Sequence, residues 1–100
     1  MPKLKIIVPH QLTQEEALRR TRGLLNDMKN QFADKIRNIC EEWDGNNCRF
    51  SFSAMGLPTS GTLIVKPSEV ELSGNLPLAA TLFKGKIEST IRERAEKCLA

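Results

Sequence analysis

The sequence contains few of the residues that build disulfide frameworks and metal sites. Among its 100 residues there are three cysteines and one histidine. The cysteines are odd in number and form no C-x-x-C pair, so neither a disulfide framework nor a zinc knuckle is indicated. We therefore expect reduced thiols, no bound metal and no cofactor.

Long apolar segments are also missing. No stretch approaches the roughly 20 apolar residues of a membrane span, and the apolar run near the amino terminus is too short for the central region of a signal sequence. We expect a cytoplasmic protein. A length of 100 residues with 40% hydrophobic content predicts a single domain over residues 1–100, with one core and little room for a deep catalytic cleft.

Motifs of catalysis and nucleotide binding are absent. Neither G-x-x-x-x-G-K-[ST] nor G-x-G-x-x-G occurs, and no serine has the context of a nucleophile elbow. His10 would need Glu15 or Glu16 to orient it as a general base, and we expect it instead to close a strand-to-helix turn. Glu41 and Glu42 occupy successive positions of a predicted strand, so they point to opposite faces and form no carboxylate pair. We predict that the protein is not an enzyme.

Charges of the two signs are mixed along the chain. Fifteen Lys and Arg residues and twelve Asp and Glu residues give a net charge of +3. Their interleaving in KGKIESTIRERAEK is typical of a solvated helix face with i,i+4 pairs, here Glu88–Arg92 and Glu93–Lys97. Charge alone therefore gives nucleic-acid binding little support.

The first elements are a strand and a long helix. KLKIIV alternates, with Leu4, Ile6 and Val8 on one side, and predicts a strand that ends near Pro9. TQEE supplies a capping box, with Thr13 as the N-cap and Glu16 at the third helical position. Apolar residues at helical spacing then predict a helix over residues 14 to 36, whose stripe is Ala17, Leu18, Thr21, Leu24, Leu25, Met28, Phe32 and Ile36.

ICEEWDGNNCRFSF predicts a hairpin, because a two-residue primed turn requires Asp-Gly or Gly-Asn. A loop at residues 44–45 pairs Glu41 with Cys48, and a loop at residues 45–46 pairs Trp43 with Cys48. Either loop places Cys40 on the opposite face from Cys48, which disfavours a disulfide between them. Both put the apolar and aromatic side chains on one face: Ile39, Trp43, Cys48, Phe50 and Phe52. We expect Trp43 to be largely buried against Phe50 or Phe52, although exposed aromatics could instead stack on bases.

Two more strands and a second helix follow. GLPTSG is predicted as a turn, TLIVK as a strand, and EVELSG as a strand with Val70 and Leu72 inward and Glu69 and Glu71 outward. Asn75 is a candidate helix cap and Pro77 is tolerated in the first turn. The stripe of this helix is Ala80, Phe83, Ile87, Ile91, Ala95 and Cys98. The predicted order is β-α-β-β-β-β-α, an α+β fold with an antiparallel-dominated sheet covered by two long helices.

Gly85 lies beside this apolar stripe although glycine is among the poorest helix formers. We expect that it allows the helix to approach a strand closely, at a cost of roughly 1 kcal/mol relative to alanine. The competing interpretation is that it borders a ligand pocket.

Several segments in order carry a family resemblance: CEEWDG, RFSFSAMGLPTSGTLIV, VELSGNLPL and FKGKIESTI. Together they resemble the small bacterial polyhydroxyalkanoic acid system family over nearly the whole chain, and MKNQFADKIRNI is a longer link than in shorter members. The resemblance implies genes beside those of polyhydroxyalkanoate synthesis and granules, and no established catalytic residues. The element order also resembles a trimmed helix-grip arrangement, which is an analogy of fold alone.

Two functional hypotheses follow. The first is a non-enzymatic binding or accessory protein of the polyhydroxyalkanoate system, granule-associated in the cytoplasm, that contacts a granule surface, a granule protein or a hydrophobic acyl ligand beside the C-terminal helix. Its candidate residues are Phe83, Gly85, Ile87, Ile91 and Trp43. The alternative is a nucleic-acid-associated or regulatory protein with basic helix faces built from Arg19, Arg20, Arg22, Lys84, Lys86, Arg92 and Arg94.

Overall fold

The computed structural model describes residues 3–54, 56–75 and 82–100, and these contain five strands and two helices. The elements are β1 (Lys3–Pro9), α1 (Gln14–Gln31), β2 (Ile36–Asp44), β3 (Asn47–Ala54), β4 (Leu57–Val65), β5 (Glu69–Asn75) and α2 (Lys84–Leu99). This order confirms the predicted α+β class and the predicted succession of elements.

The strands form one antiparallel sheet in the order β1-β5-β4-β3-β2. Strands β2 to β5 are a meander in which each strand pairs with the next. Helix α1 carries the chain from β1 at one edge of the sheet to β2 at the opposite edge. Among the described strands, the neighbour of β1 is β5, the strand most distant from it in sequence.

Alternation along β1 determines which face of the sheet is buried. Leu4, Ile6 and Val8 are buried and the residues between them are exposed, as predicted. Ile6 pairs with Leu72 across β5, so apolar residues of both strands share this face. The other face is polar, and there Lys5 forms a salt bridge of 3.1 Å with Glu71. Both helices lie on the apolar face.

The amino end of α1 is capped as predicted, but the helix ends five residues earlier than predicted. The backbone N–H of Glu16 donates to the Thr13 hydroxyl at 3.1 Å. Hydrogen bonds from Arg19 first, and then from Arg20, lower the pKa of Glu16 to about 2. The helix ends at Gln31 rather than at residue 36. A turn follows in which the N–H of Ile36 still donates to the carbonyl of Phe32 at 3.0 Å, so the four-residue spacing continues although the helix does not.

The β2–β3 hairpin has its turn at residues 45–46. Trp43 pairs with Cys48, and Gly45 has a φ of 63°, a conformation in which glycine is unstrained. Cys40 lies on the opposite face from Cys48, as predicted, and the cysteines at 40, 48 and 98 are free. Burial raises the pKa of the Cys48 thiol.

The start of β4 corrects the prediction of a turn over GLPTSG. Within GLPTSG, Gly56 has a φ of 77° and lies in the turn, whereas the remaining five residues belong to β4, which begins at Leu57. Pro58 is accommodated because β4 pairs with β5 only from Gly61 onward, which leaves the first residues of β4 paired on one side.

The start of α2 corrects a second boundary. Asn75 is the last residue of β5 and pairs with Lys3, so it is not a helix cap. Helix α2 begins at Lys84, after Phe83, which makes no side-chain capping hydrogen bond. Pro77 and Ala80 lie outside the described residues. Near the other end of α2, Leu99 is buried in the core.

Candidate functional site

An apolar cavity of about 260 Å³ lies between the two helices and the sheet. Helix α1 contributes its inward stripe, α2 contributes its last two turns, and all five strands contribute to the floor and one side. The lining residues are Ile6, Val8, Thr21, Leu24, Leu25, Met28, Lys29, Phe32, Ile36, Ile39, Glu41, Phe50, Phe52, Leu63, Val70, Leu72, Ile91, Ala95, Cys98 and Leu99.

The cavity arises from where the helices lie on the sheet. Helix α2 packs on β1, and α1 packs on α2 and on β4, so the closest packing is over the β1-β5-β4 half. The half made of β2 and β3 is covered less closely. There Phe50 and Phe52 are half-buried, with ring centroids 6.3 Å apart, and Ile39 is 39% exposed. The side chains on this half of the sheet therefore border open space.

Polar groups of the lining are few and most are satisfied within the protein. The Thr21 hydroxyl donates to the carbonyl of Ala17 at 2.7 Å, and the Cys98 thiol donates to the carbonyl of Arg20 at 3.2 Å. Lys29 and Glu41 form an ion pair of 2.6 Å between Nζ and Oε1. An interior lined by hydrocarbon, with its charges confined to one side, can hold an apolar molecule.

The environment of Glu41 keeps this carboxylate ionised. Burial by itself would raise its pKa, but hydrogen bonds from Lys29 and from the indole N–H of Trp43 lower it, and the charges of Lys29 and Arg22 act in the same direction. The net shift is downward. Arg22 also lies over the Trp43 ring, with Cζ 4.8 Å from the ring centroid.

The predicted ligand-site residues of α2 divide into two groups. Ile91 lines the cavity and Ile87 is half-buried against the core. Phe83 is 60% exposed, and Gly85 is exposed with no atom within 4 Å of the position that a Cβ would take. The expectation that Gly85 allows close packing on a strand is wrong, because α2 turns this residue toward solvent.

Trp43 is half-buried rather than largely buried. It packs against the core cluster, and its nearest polar partners are Glu41 and Arg22. It does not line the cavity, although Phe50 and Phe52 do. The prediction that Trp43 shares a face of the hairpin with Phe50 and Phe52 is therefore confirmed, but the Trp43 side chain is less buried than expected.

Five of the seven residues proposed as basic helix faces hold contacts within the protein. Arg19 and Arg20 bind Glu16, and Arg20 also donates to the carbonyl of Ala100 at 2.6 Å. Arg22 lies over Trp43, as described above.

Two more of these arginines link α2 to other elements. Arg92 donates to the carbonyl of Ile7 at 3.0 Å instead of pairing with Glu88, and Arg94 donates to Gln31. The predicted pair Glu93–Lys97 is present at 3.6 Å. Lys84 and Lys86 lie in the first turn of α2. These contacts stabilise the packing of the helices and leave nucleic-acid binding a prediction.

His10 closes the turn between β1 and α1, as predicted. The backbone N–H of Leu12 donates to Nδ1 at 3.1 Å, so the ring proton lies on Nε2, which donates to the carbonyl of Lys66 at 3.1 Å. The side chain is buried. Both ring nitrogens are therefore engaged in holding the end of β1 against the β4–β5 connection.

Lys29 and Glu41 are the charged lining residues that sequence reasoning missed. Lys29 lies next to Met28 on the inward stripe of α1, and the strand parity already placed Glu41 on the face of Trp43 and Phe50. These two signals together could have indicated an ion pair beside the apolar face. In residues 3–54, 56–75 and 82–100 there is no group of three or more His, Cys, Asp or Glu side chains that could hold a metal ion.

Neither described helix is long and apolar enough to cross a membrane.

No curated protein and no solved structure matches the chain. A family model does match it, over residues 4–99, and the family's description is "Putative polyhydroxyalkanoic acid system protein". Because the match extends from β1 to the end of α2, the chain belongs to the polyhydroxyalkanoic acid system protein family.

Proposed function

We propose that the chain is a non-catalytic accessory protein of the polyhydroxyalkanoate system that binds a short acyl chain in its apolar cavity. The cavity is the observation that carries this proposal. Its volume is about 260 Å³. An apolar cavity of about 150 Å³ is large enough to bind benzene, and typical ligand pockets have volumes of about 300 Å³ or more. A short aliphatic chain fits this space.

Family membership supports the choice of an acyl ligand. Polyhydroxyalkanoates are polyesters of hydroxylated acyl units, so the precursors and breakdown products of the polymer carry aliphatic chains. Leu25, Met28 and Ile91 present hydrocarbon to such a chain from both helices. Both ring nitrogens of His10 are held by hydrogen bonds within the fold, so the proposal assigns His10 a structural role.

The expected affinity is modest. Each buried methylene contributes about 0.8 kcal/mol, so a chain with six buried methylenes gains about 5 kcal/mol before the cost of association is subtracted. This gain corresponds to dissociation constants no lower than about 0.2 mM. Direct titration at millimolar ligand is therefore the appropriate measurement.

A titration of ¹⁵N-labelled protein with octanoate, followed by chemical shifts, tests the proposal. Ala95→Leu places three additional carbons in the cavity and should weaken binding about tenfold or more while far-UV circular dichroism stays unchanged. Ala33→Leu makes the same change in the exposed turn after α1 and should bind as the wild type does. The proposal fails if octanoate gives no saturable shifts, or if Ala95→Leu binds it normally.

A contact with the granule itself is supported by the exposed apolar residues just before α2. Leu82 is 89% exposed and Phe83 is 60% exposed, and Lys84 and Lys86 follow them. Two adjacent apolar side chains with this exposure could insert into a hydrophobic polymer surface. Replacing both by serine should reduce co-sedimentation with purified granules, whereas Ile7→Thr, at another exposed apolar position, should not. Equal sedimentation of the double variant and the wild type would exclude this contact.

A further inference from the structure

The charges that line the cavity are gathered on one side, where α1 faces β2. Lys29 and Glu41 are the charged residues among those that line it, and their side chains are 36% and 21% exposed. We call this pair, together with Arg22 and Trp43, the charged rim. Trp43 contributes an indole N–H that donates to Glu41, and Arg22 lies over the indole ring.

The charged rim carries more positive than negative charge. Lys29 and Arg22 are cations and Glu41 is an anion, so one positive charge is not balanced within the rim. The Lys29 ammonium group has three N–H donors, and one of them faces Glu41. An anionic group that arrives from the cavity can bind the remaining donors of Lys29 without displacing Glu41.

We propose that the charged rim binds the carboxylate of the acyl ligand, so that the cavity accepts a free carboxylic acid in preference to an uncharged compound with the same alkyl chain. This inference rests on the proposed function. The alkyl chain lies among the apolar side chains of α1, α2 and the sheet. The carboxylate lies at the partly solvated side and accepts a hydrogen bond from Lys29.

Other head groups fit this side less well. An ammonium head group would lie beside the Lys29 ammonium group, and Glu41, the carboxylate of the lining, already has Lys29 and Trp43 as partners. An alcohol can accept a hydrogen bond from Lys29 but carries no negative charge, so it lacks the Coulomb attraction between a carboxylate and the ammonium group. Partial burial of Lys29 and Glu41 reduces screening by solvent. The charge of the ligand therefore contributes more to the binding free energy here than it would on an open surface.

The negative charge of Glu41 opposes that of the ligand, because both carboxylates would lie beside the Lys29 ammonium group. The Glu41 carboxylate accepts from both Lys29 and Trp43 in the free protein. A neutral side chain of the same shape would release the positive charge of Lys29 to the ligand. Glu41→Gln should therefore bind a carboxylate more tightly than the wild type does.

Octanoate and 1-octanol are matched probes for this inference, because they share an alkyl chain and differ in the head group. Both are titrated at neutral pH and low salt into the wild type, Lys29→Met, Glu41→Gln and the control Lys97→Met, which removes an exposed lysine of α2. We expect the wild type and Lys97→Met to prefer octanoate several-fold. Lys29→Met should bind the two probes equally, and Glu41→Gln should bind octanoate several-fold more tightly.

The outcomes separate the two proposals. If the wild type binds both probes with equal affinity and Ala95→Leu weakens both, the cavity binds alkyl chains and the carboxylate inference is overturned. A preference for octanoate that survives in Lys29→Met also overturns it. If neither probe binds the wild type, the proposed function fails together with the inference.

Discussion

Gly61→Ala tests the packing on which the sheet depends. Gly61 of β4 lies opposite Gly74 of β5 on one side and Phe50 of β3 on the other. A Cβ added at Gly61 would lie 2.5 Å from the carbonyl oxygen of Ser73 and 2.6 Å from Cζ of Phe50. The Phe50 ring can turn aside, but the Ser73 carbonyl belongs to the backbone of a paired strand and can move only if β5 shifts.

The expected loss of stability follows from two opposing effects. Overpacking of this kind costs about 1–3 kcal/mol, and a clash with backbone belongs at the upper end of that range. Replacing glycine by alanine in an unstrained strand would regain about 0.5–1 kcal/mol, because the unfolded chain loses freedom. The net result should be a decrease of about 2 kcal/mol in the free energy of unfolding. For a domain of this size the melting temperature should fall by about 8–16 °C.

Denaturant titrations followed by the single tryptophan give the required measurement. Gly74→Ala is the matched comparison, because its Cβ would lie 3.3 Å from the Ser60 carbonyl oxygen and could be accepted with a small adjustment. It should cost clearly less than Gly61→Ala. A midpoint for Gly61→Ala at or above that of the wild type would refute the reasoning. In a Phe50→Leu background most of the cost should remain, since the Ser73 carbonyl stays in place.

Three further substitutions have defined expectations. Gly85→Ala should raise the free energy of unfolding by about 0.5–1 kcal/mol, because the site is open and alanine favours the helix; a lower denaturant midpoint would show that α2 packs differently. Trp43→Ala should cost about 2 kcal/mol, less than the about 3–5 kcal/mol of a fully buried aromatic, as measured by circular dichroism in urea. The pKa of Glu16 is lower in the folded protein than in the unfolded chain, so its contribution to stability is complete above about pH 4.5 and is lost as the pH falls toward 2. Glu16→Gln should therefore reduce the difference in urea midpoint between pH 5 and pH 2.5, and an unchanged difference would contradict this.

The parts of the fold that were predicted correctly are those with a strong local pattern. Alternation in KLKIIV and EVELSG determines which side chains face the core, and alternation on both sides of Gly45 puts the same hairpin side chains on one face for either of the two predicted loops; the structure has the loop at residues 45–46. In each case a one-residue shift would expose an apolar side chain or strain a turn. The local sequence therefore leaves few alternatives.

The incorrect boundaries occur where one pattern fits two structures. Phe32 and Ile36 keep a helical spacing through a turn that still contains an i to i−4 hydrogen bond, so periodicity alone could not locate the end of α1. Asn75 resembles a helix cap, but pairing with Lys3 at the far end of the chain keeps it in β5. Long-range pairing of this kind overrides local preference.

The candidate site was predicted only in part for a related reason. The apolar stripes of both helices and the aromatic face of the hairpin were identified from spacing. Whether they enclose an empty volume depends on how the helices are placed and rotated on the sheet. The same rotation places Ile91 at the cavity and Gly85 in solvent, and the spacing of side chains along one helix contains no information about it.

The position of β1 beside β5 has a consequence for the folding pathway. Strands β2 to β5 can form as a chain of neighbouring hairpins, each of which closes a short loop. Pairing of Lys3 with Asn75 must close a loop of about 70 residues, and the entropy of that closure is lost before any contact is gained. We therefore expect the meander to form in the folding transition state and β1 to join afterwards. Ile6→Val in β1 should mainly accelerate unfolding, whereas Leu63→Ala in β4 should slow folding, and stopped-flow kinetics can distinguish these effects.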